Sequence, residues 1–391
     1  MIYLVILLFV TFLALSYDFT IRIKRGLNVS NRQYKYSFVI VGLLISLIAG
    51  LRFYVGADTA NYVNDYKGMP SFGTFEQYSY AFSRYRPGYV LLVAFSKSIW
   101  NNFVFLQLIV AFFANTVLLL FVWRETKFRF VALLMYLILN YIEYNFEIMR
   151  EVMAVSCVLV GYMKYEKKKK WQAFIWFIMA NLMHASAIVA ALFPFLNKIK
   201  FSTRSLILAI FICASITSVY QLVPDFSLYV DLVFGYGDYA EKYLSREINQ
   251  DYNIHFYFFH YLKYLIIPAL ALWITKGRYK YTGFVYMWML WGVMSIFSYS
   301  FYRFNNYFSP FYWLLLANTI IIISEKKIIS KMVLVLGSVI FLLYMYQRTL
   351  LSVDDYHGGY KIYERYIPYE MVGFDHDYNT DKSLYPCRRG N

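Results

Sequence analysis

Charge is scarce in this chain. Asp, Glu, Lys and Arg make up 16% of its 391 residues, against 60% hydrophobic residues, a proportion that excludes a water-soluble globular fold. Cysteine is scarcer still: Cys157 and Cys213 lie in apolar runs and Cys387 in a polar tail, so neither a disulfide framework nor a zinc site is expected. No GxxxxGK, HExxH or GxSxG segment occurs, which removes the phosphate-cradling, zinc-peptidase and nucleophile-elbow chemistries that those spacings serve. The D-x-D spacing of note, Asp375 and Asp377, falls in a short tail of mixed charge and reads as a solvated segment rather than a metal site. The first apolar run has no Lys or Arg before it and no small-residue cleavage site after it. It reads as a retained span rather than a signal peptide.

What fills the space is apolar and aromatic. Aromatic residues reach 22% and the mean hydropathy is +0.46. Apolar runs recur at about the 17 to 25 residues that cross a bilayer. They predict spans at Ile2 to Tyr17, Tyr34 to Leu51, Phe103 to Trp123, Phe130 to about Glu147, Ile148 to Tyr165, Ser205 to Val223, Phe256 to Ile274, Tyr281 to Phe301, Ser309 to Ile323 and Met332 to Tyr346. Trp171 to Leu196 is long for one span and short for two, with small or polar residues at its centre (Ala180, Asn181, His184, Ala185, Ser186). It reads as a broken or re-entrant helical hairpin beside a cavity, because irregular backbone at membrane depth needs protein or water around it. The expected fold is an all-α polytopic membrane protein of about ten transmembrane helices plus that hairpin. Residues 1–351 would form the membrane domain and 352–391 a polar tail.

The net charge of +15 would point to nucleic acid in a soluble protein, but its placement gives it another meaning. The clusters Arg22 to Lys35, Arg124 to Arg129, Lys164 to Lys170, Lys198 to Arg204, Lys276 to Lys280 and Lys326 to Lys331 alternate along the chain so that all can be cytoplasmic. One condition applies: the run Pro87 to Trp100, interrupted by Lys97, must lie in the outer face instead of spanning. The cytoplasmic side then carries 22 basic and 4 acidic residues. The surplus is topological, no nucleic-acid partner is expected, and the tetralysine Lys167 to Lys170 is a stop signal that meets anionic lipid. Two long external loops follow, at 52–102 and 224–255, with an external tail.

On this topology the ionisable residues at membrane boundaries crowd the external side, where each must be paired or functional. In LRFYVGADTANY, Gly56 permits a positive-φ turn that would fold Asp58 back towards Arg52, although a snorkelling arginine and a turn aspartate account for the pair as well. Arg84 and Arg86 close the same loop, and Pro87 suits the first turn of a helix. Arg150 stands at the outer end of an apolar span; Glu147, three residues earlier, offers a plain intrahelical ion pair. His184 lies in the interrupted ANLMHASA segment, where a satisfied core histidine is the competing reading. Lys263 shares a helix face with His260, and Arg303 sits in YRFNNYF at another external junction. Together Arg52, Arg84, Arg86, Arg150, Lys263 and Arg303 suit an anionic, phosphate-bearing ligand. The tyrosines of 224–255 suit sugar rings, or else form an interfacial belt.

Three segments, in order, resemble the EpsG family of bacterial exopolysaccharide proteins, within the Wzy-type repeat-unit polymerases. They are LRFYVGADTANYVNDY, MREVMAVSCVLVGYMKYEKKKKWQAFIWFIMANLMHASAIVAALFPFL and YRFNNYF. The resemblance runs over roughly Leu51 to Phe308, with matching positions at Arg52, Gly56, Asp58, Tyr62, Arg150, His184, Ser186 and Arg303. Arg86 departs from it, since an acidic residue is expected before Pro87. The resemblance implies a GT-C-like membrane glycosyltransferase in the bacterial cytoplasmic membrane, with an extracytoplasmic active site. Its donor and acceptor would be undecaprenyl-pyrophosphate-linked oligosaccharides, its pathway partners a flippase and a chain-length regulator, and it would need no cofactor and no metal. His184, Asp58, Arg150 and Arg303 would then be catalytic, and Arg52, Arg84, Arg86 and Lys263 would bind pyrophosphate. A flippase for lipid-linked oligosaccharide is the competing class; it predicts charges at mid-bilayer on several spans and internal repeats, and neither is visible.

Overall fold

A computed structural model describes residues 2–19, 31–74, 76–222, 254–296, 299–325, 337, 340, 351, 353–354 and 360–373. The basic stretch after the first span, the span at Met332 to Tyr346, the loop 224–255 for all but its last two residues, and Asp375 with Asp377 lie outside these residues. Within them the fold is helical, apart from a two-stranded antiparallel ribbon of Val353–Asp354 with Tyr360–Lys361. Among the described residues three helices are long and apolar enough to cross a membrane: Arg32–Gly50, Phe103–Glu125 and Tyr257–Thr275. Shorter apolar helices accompany them. Leu4, Val5, Leu8, Phe9 and Phe12 of the first helix are exposed, as are Phe174, Ile175, Ile178, Ile207, Leu208 and Phe211 further on. Rows of exposed apolar side chains on helices have lipid as their natural solvent.

The chain divides into two compact units, Met1–His184 with Lys331–Asn391, and Ala185–Ser330. The first holds α1 (Ile2–Leu13), α2 (Asn31–Gly50), α3 (Thr59–Gly68), α4 (Glu76–Arg84), α5 (Pro87–Ile99), α6 (Phe103–Glu125), α7 (Arg129–Leu139), α8 (Met149–Glu166) and α9 (Lys170–Met183). Helices α8 and α9 form an antiparallel hairpin whose turn carries the tetralysine, with Lys168 in the left-handed region. A Cβ on Gly161 of α8 would come within 3.2 Å of the Ala173 carbonyl oxygen and 2.9 Å of the Phe177 ring, so the two backbones approach as closely as glycine allows. Buried Asp18 accepts from the Tyr34 hydroxyl at 2.9 Å and the Val131 amide at 2.8 Å. It thereby serves an orphan donor at the start of α7.

Two spans end earlier than apolarity alone predicts. The one read as Phe130 to about Glu147 stops as a regular helix at Leu139, and a wide turn over Glu143–Glu147 leads into α8. Polar side chains bend it inward: Asn115 donates to Asn145 at 2.8 Å, Asn145 donates to the Tyr141 carbonyl at 2.8 Å, and Tyr136 donates to Asn115 at 2.7 Å. Satisfying these buried groups outweighs continuing the helix. In the second unit, Tyr281 to Phe301 is not one helix but α14 (Thr282–Met294) and α15 (Tyr299–Asn306). Ser295 Oγ donates back to the Gly292 carbonyl at 2.7 Å, a local bond that competes with the helix ladder.

The second unit opens with a 3-10 turn over Ala185–Leu192 and α10 (Phe193–Leu196). It continues with α11 (Thr203–Leu222), α12 (Ile254–Tyr261), α13 (Ile267–Thr275), α14, α15 and α16 (Ser309–Glu325). Its core is aromatic. Trp288 stacks on Tyr312 with centroids 3.8 Å apart, Phe284 stacks on Phe311 at 4.1 Å, and Phe193 meets Phe284 edge-on at 4.9 Å. Such pairs add to the burial of their large apolar surfaces.

Candidate active site

The segment after α2 is built as a tight, buried loop. Gly56 adopts φ +102°, the conformation that its position requires, and a Cβ there would stand 2.4 Å from the Phe146 carbonyl oxygen. Arg52 is only 1% exposed. It donates through Nη1 to the Ala49 carbonyl at 2.5 Å, and its guanidinium lies 5.3 Å from the Phe146 ring centroid. Asp58 is half-buried at the N-cap of α3, and its side chain makes no capping bond. In the loop just before the helix, Glu147 accepts the Ala57 amide at 3.1 Å and the Asp58 amide at 3.3 Å. Glu147 is therefore not the ion-pair partner of Arg150. Burial and the nearby Asp58 carboxylate push the Glu147 carboxyl above the usual carboxylate range.

The C-terminal segment joins the same loop. Phe53 N donates to the Glu370 carbonyl at 3.0 Å, Val372 N to the Leu51 carbonyl at 2.7 Å, and Gly56 N to the Arg365 carbonyl at 2.9 Å. Arg52 and Met371 form a β-bridge. Tyr366 donates its hydroxyl to Glu147 Oε1 at 2.6 Å, and Tyr369 donates to the Ile48 carbonyl at 2.8 Å. Nothing in the composition of the tail signals this pairing, which uses backbone groups and two tyrosines among 41.

Arg150 sits in the first turn of α8, where a cation faces the positive end of the helix dipole. Among the described residues it has no ion pair, and its buried Nε has no hydrogen-bond partner. Three tyrosines surround it instead, with ring centroids 5.0 Å (Tyr85), 5.8 Å (Tyr62) and 5.9 Å (Tyr89) from the guanidinium carbon. Aromatic faces hold a guanidinium without neutralising it. Tyr62 was marked by resemblance; Tyr85 and Tyr89 carried no signal in the sequence. Tyr85 donates its hydroxyl to Asp65, which also pairs with Arg84 at 3.5 Å. Burial and that carboxylate raise the Tyr85 phenol, so it stays a donor. Arg84 and Arg86 are exposed, and Arg86 is the N-cap residue of α5 with Pro87 at the first helical position, as expected.

His184 ends α9 with extended backbone (φ −151°, ψ 136°) and is 8% exposed, and the break read from ANLMHASA lies at this residue. In the antiparallel α8–α9 hairpin, Arg150 is eleven residues before Gly161, and His184 is eleven after Ala173, so both stand at the hairpin's open end. Helix α5 touches that end too: a Cβ on Gly88, next to Tyr89, would come within 2.8 Å of the Leu182 carbonyl oxygen. Arg52, Asp58, Arg84, Arg86, Arg150 and His184 thus belong to the first unit, with Arg150, Tyr89 and His184 at one end of it. Lys263 and Arg303 belong to the second. There Lys263 lies 4.7 Å from the Tyr264 ring centroid, His260 contacts the Gly292 carbonyl at 2.8 Å, Ser186 bonds the Tyr307 hydroxyl at 3.0 Å, and Arg303 is half-buried on α15. Among the described residues no group of three His, Cys, Asp or Glu side chains has the arrangement of a metal site.

A largely helical fold with three helices long and apolar enough to cross a membrane fits a membrane protein, and among its described residues Arg150 has no ion pair near the helix break at His184. The EpsG family profile matches residues 35–371, and the chain belongs to this family of Wzy-type polymerases. The match extends beyond the span of Leu51 to Phe308 that the motifs marked, and its far end is Met371, the residue bridged to Arg52. Comparison with curated proteins and with solved structures gives no match.

Proposed function

We propose that this chain polymerises undecaprenyl-pyrophosphate-linked repeat units at the outer face of a bacterial cytoplasmic membrane, as a metal-independent glycosyltransferase of GT-C-like architecture. The observation that carries the reading is Arg150: a buried Nε without a partner among the described residues, no ion pair, and three tyrosine rings within 6 Å of its guanidinium carbon. In the reaction the bond between the donor sugar's anomeric carbon and the pyrophosphate oxygen breaks, and a bond from that carbon to an acceptor hydroxyl forms. The acceptor's proton passes to a base, and undecaprenyl pyrophosphate leaves. Negative charge grows on the leaving oxygen, so a preorganised, unneutralised guanidinium stabilises the transition state more than the ground state.

In this reading Arg150 serves the leaving pyrophosphate, with the exposed Arg84 and Arg86 drawing the anionic lipid in; Arg303 and Lys263 of the second unit are further candidates for meeting the anion. Arg52, buried beneath the Asp58 loop, holds that loop. His184 takes the acceptor proton, because an unperturbed imidazole is substantially neutral at pH 7; Asp58 is the alternative base. A lipid pyrophosphate already carries the activated sugar, so neither nucleotide nor metal enters. The test is to supply purified protein with a synthetic lipid-linked repeat unit and no nucleotide sugar. A ladder of lengthened lipid-linked glycan is expected. Movement of the lipid across a vesicle bilayer with no ladder would replace the polymerase by a flippase.

A further inference from the structure

Asp58 is the N-cap of α3, yet its side chain does not cap. Just ahead of the helix, the loop turns its Ala57 and Asp58 amides to Glu147, which supplies one carboxylate oxygen to each, at 3.1 and 3.3 Å. One turn further on, Tyr62 of α3 lies against Arg150, which follows Glu147 by three residues. The start of α3, with the loop before it, is therefore tied at two points to the short stretch from Glu147 to Arg150. The C-terminal segment reaches the first tie: Tyr366 donates to Glu147 Oε1 at 2.6 Å, the same oxygen that accepts from Ala57.

We propose that Glu147 and Tyr366 are positioning residues, and that the C-terminal segment is a working part of the site: the Tyr366–Glu147 clamp fixes the Asp58 loop and Tyr62 relative to Arg150. This rests on the polymerase reading above. A positioning role sets how often the bound substrate meets the catalytic groups in register, so its loss appears in turnover more than in substrate affinity.

The experiment compares Tyr366→Phe with Tyr369→Phe in the lipid-linked ladder assay. Both remove one hydroxyl bond from the docked segment, but Tyr369 binds the Ile48 carbonyl and does not touch Glu147. Tyr366→Phe should lose about tenfold in kcat with KM unchanged, and Tyr369→Phe should match wild type; Glu147→Gln, which keeps an acceptor, should fall between Tyr366→Phe and Glu147→Ala. Equal behaviour of the two tyrosine variants, whether both intact or both lowered in proportion to folded protein, would overturn the proposal. A wild type that makes no ladder would sink the polymerase reading. Hydrogen exchange then decides the clamp alone: faster exchange at the Ala57 and Asp58 amides in Tyr366→Phe than in Tyr369→Phe supports it, and equal exchange removes it.

Discussion

Arg52 and Arg150 are two arginines of one unit, each at the end of a helix, and they differ in exposure and in what surrounds them. Arg52 is sealed at 1% exposure under a loop that the C-terminal segment stitches down with backbone bonds. Arg150 is half-buried and ringed by the faces of three tyrosines. Holding a cation beside a helix N-terminus with no ion pair among the described residues is costly. On the proposed function, an incoming anion would offset that cost, and the contrast would separate an arginine that shapes the site from one that works in it.

The largest effect that would break this contrast is at Arg150. Arg150→Lys keeps the charge but loses the planar two-donor fork. Turnover should drop by about 10²-fold to 10³-fold, or roughly 3 to 4 kcal/mol of transition-state stabilisation, while lipid-linked substrate still binds. Chain-length distribution, normalised to protein that stays monodisperse in detergent, measures it. Wild-type ladders would move the leaving-group role to Arg303. His184→Ala should cost about 10²-fold at neutral pH with the folded fraction retained, whereas activity that merely scales with folded protein would make His184 a core residue and pass the base role to Asp58.

Arg52→Lys sharpens the comparison from the other side. The planar group over Phe146 is lost, and stability should fall by about 1 to 3 kcal/mol, read as a lower thermal midpoint, with turnover per folded molecule close to wild type. A turnover loss as large as that of Arg150→Lys, in a protein of unchanged stability, would bring Arg52 into the reaction itself.

How much of this was legible follows from what each feature is made of. The turn at Gly56 and the break at His184 were readable because both depend on local chemistry: one residue lacking a Cβ, and a run of small and polar residues inside an apolar segment. The start of α5 at Pro87 was readable for the same reason. The tail's docking was not, since it joins Tyr366 to Glu147 across 219 positions through groups that every chain possesses. The cage was half-legible; resemblance marked Tyr62, but Tyr85 and Tyr89 differ from the other tyrosines only in where α4 and α5 put them. Tyr281 to Phe301 misled because apolarity continues through the Ser295 turn, and hydropathy does not register a side chain that bonds its own backbone.

The smallest expected effect is at Arg84, and it decides where the site's edge lies. The sequence places Arg84 with Arg150 among the phosphate binders, but here its side chain is 46% exposed and pairs with Asp65 at 3.5 Å. An exposed pair of that kind contributes between nothing and about 1 kcal/mol, and salt screens it further. Arg84→Gln should therefore leave stability nearly unchanged. The Tyr85–Asp65 bond remains, so the ring nearest Arg150 keeps its place, and turnover at saturating substrate should stay near wild type. The expected change is a modest rise in KM at low salt that disappears as ionic strength increases, as befits a cation that attracts an anionic lipid without gripping it. A fall in kcat that salt does not alter would mean that Arg84 leaves Asp65 to hold pyrophosphate directly, and the working site would then extend from Arg150 across the Tyr85 ring to the loop's outer edge.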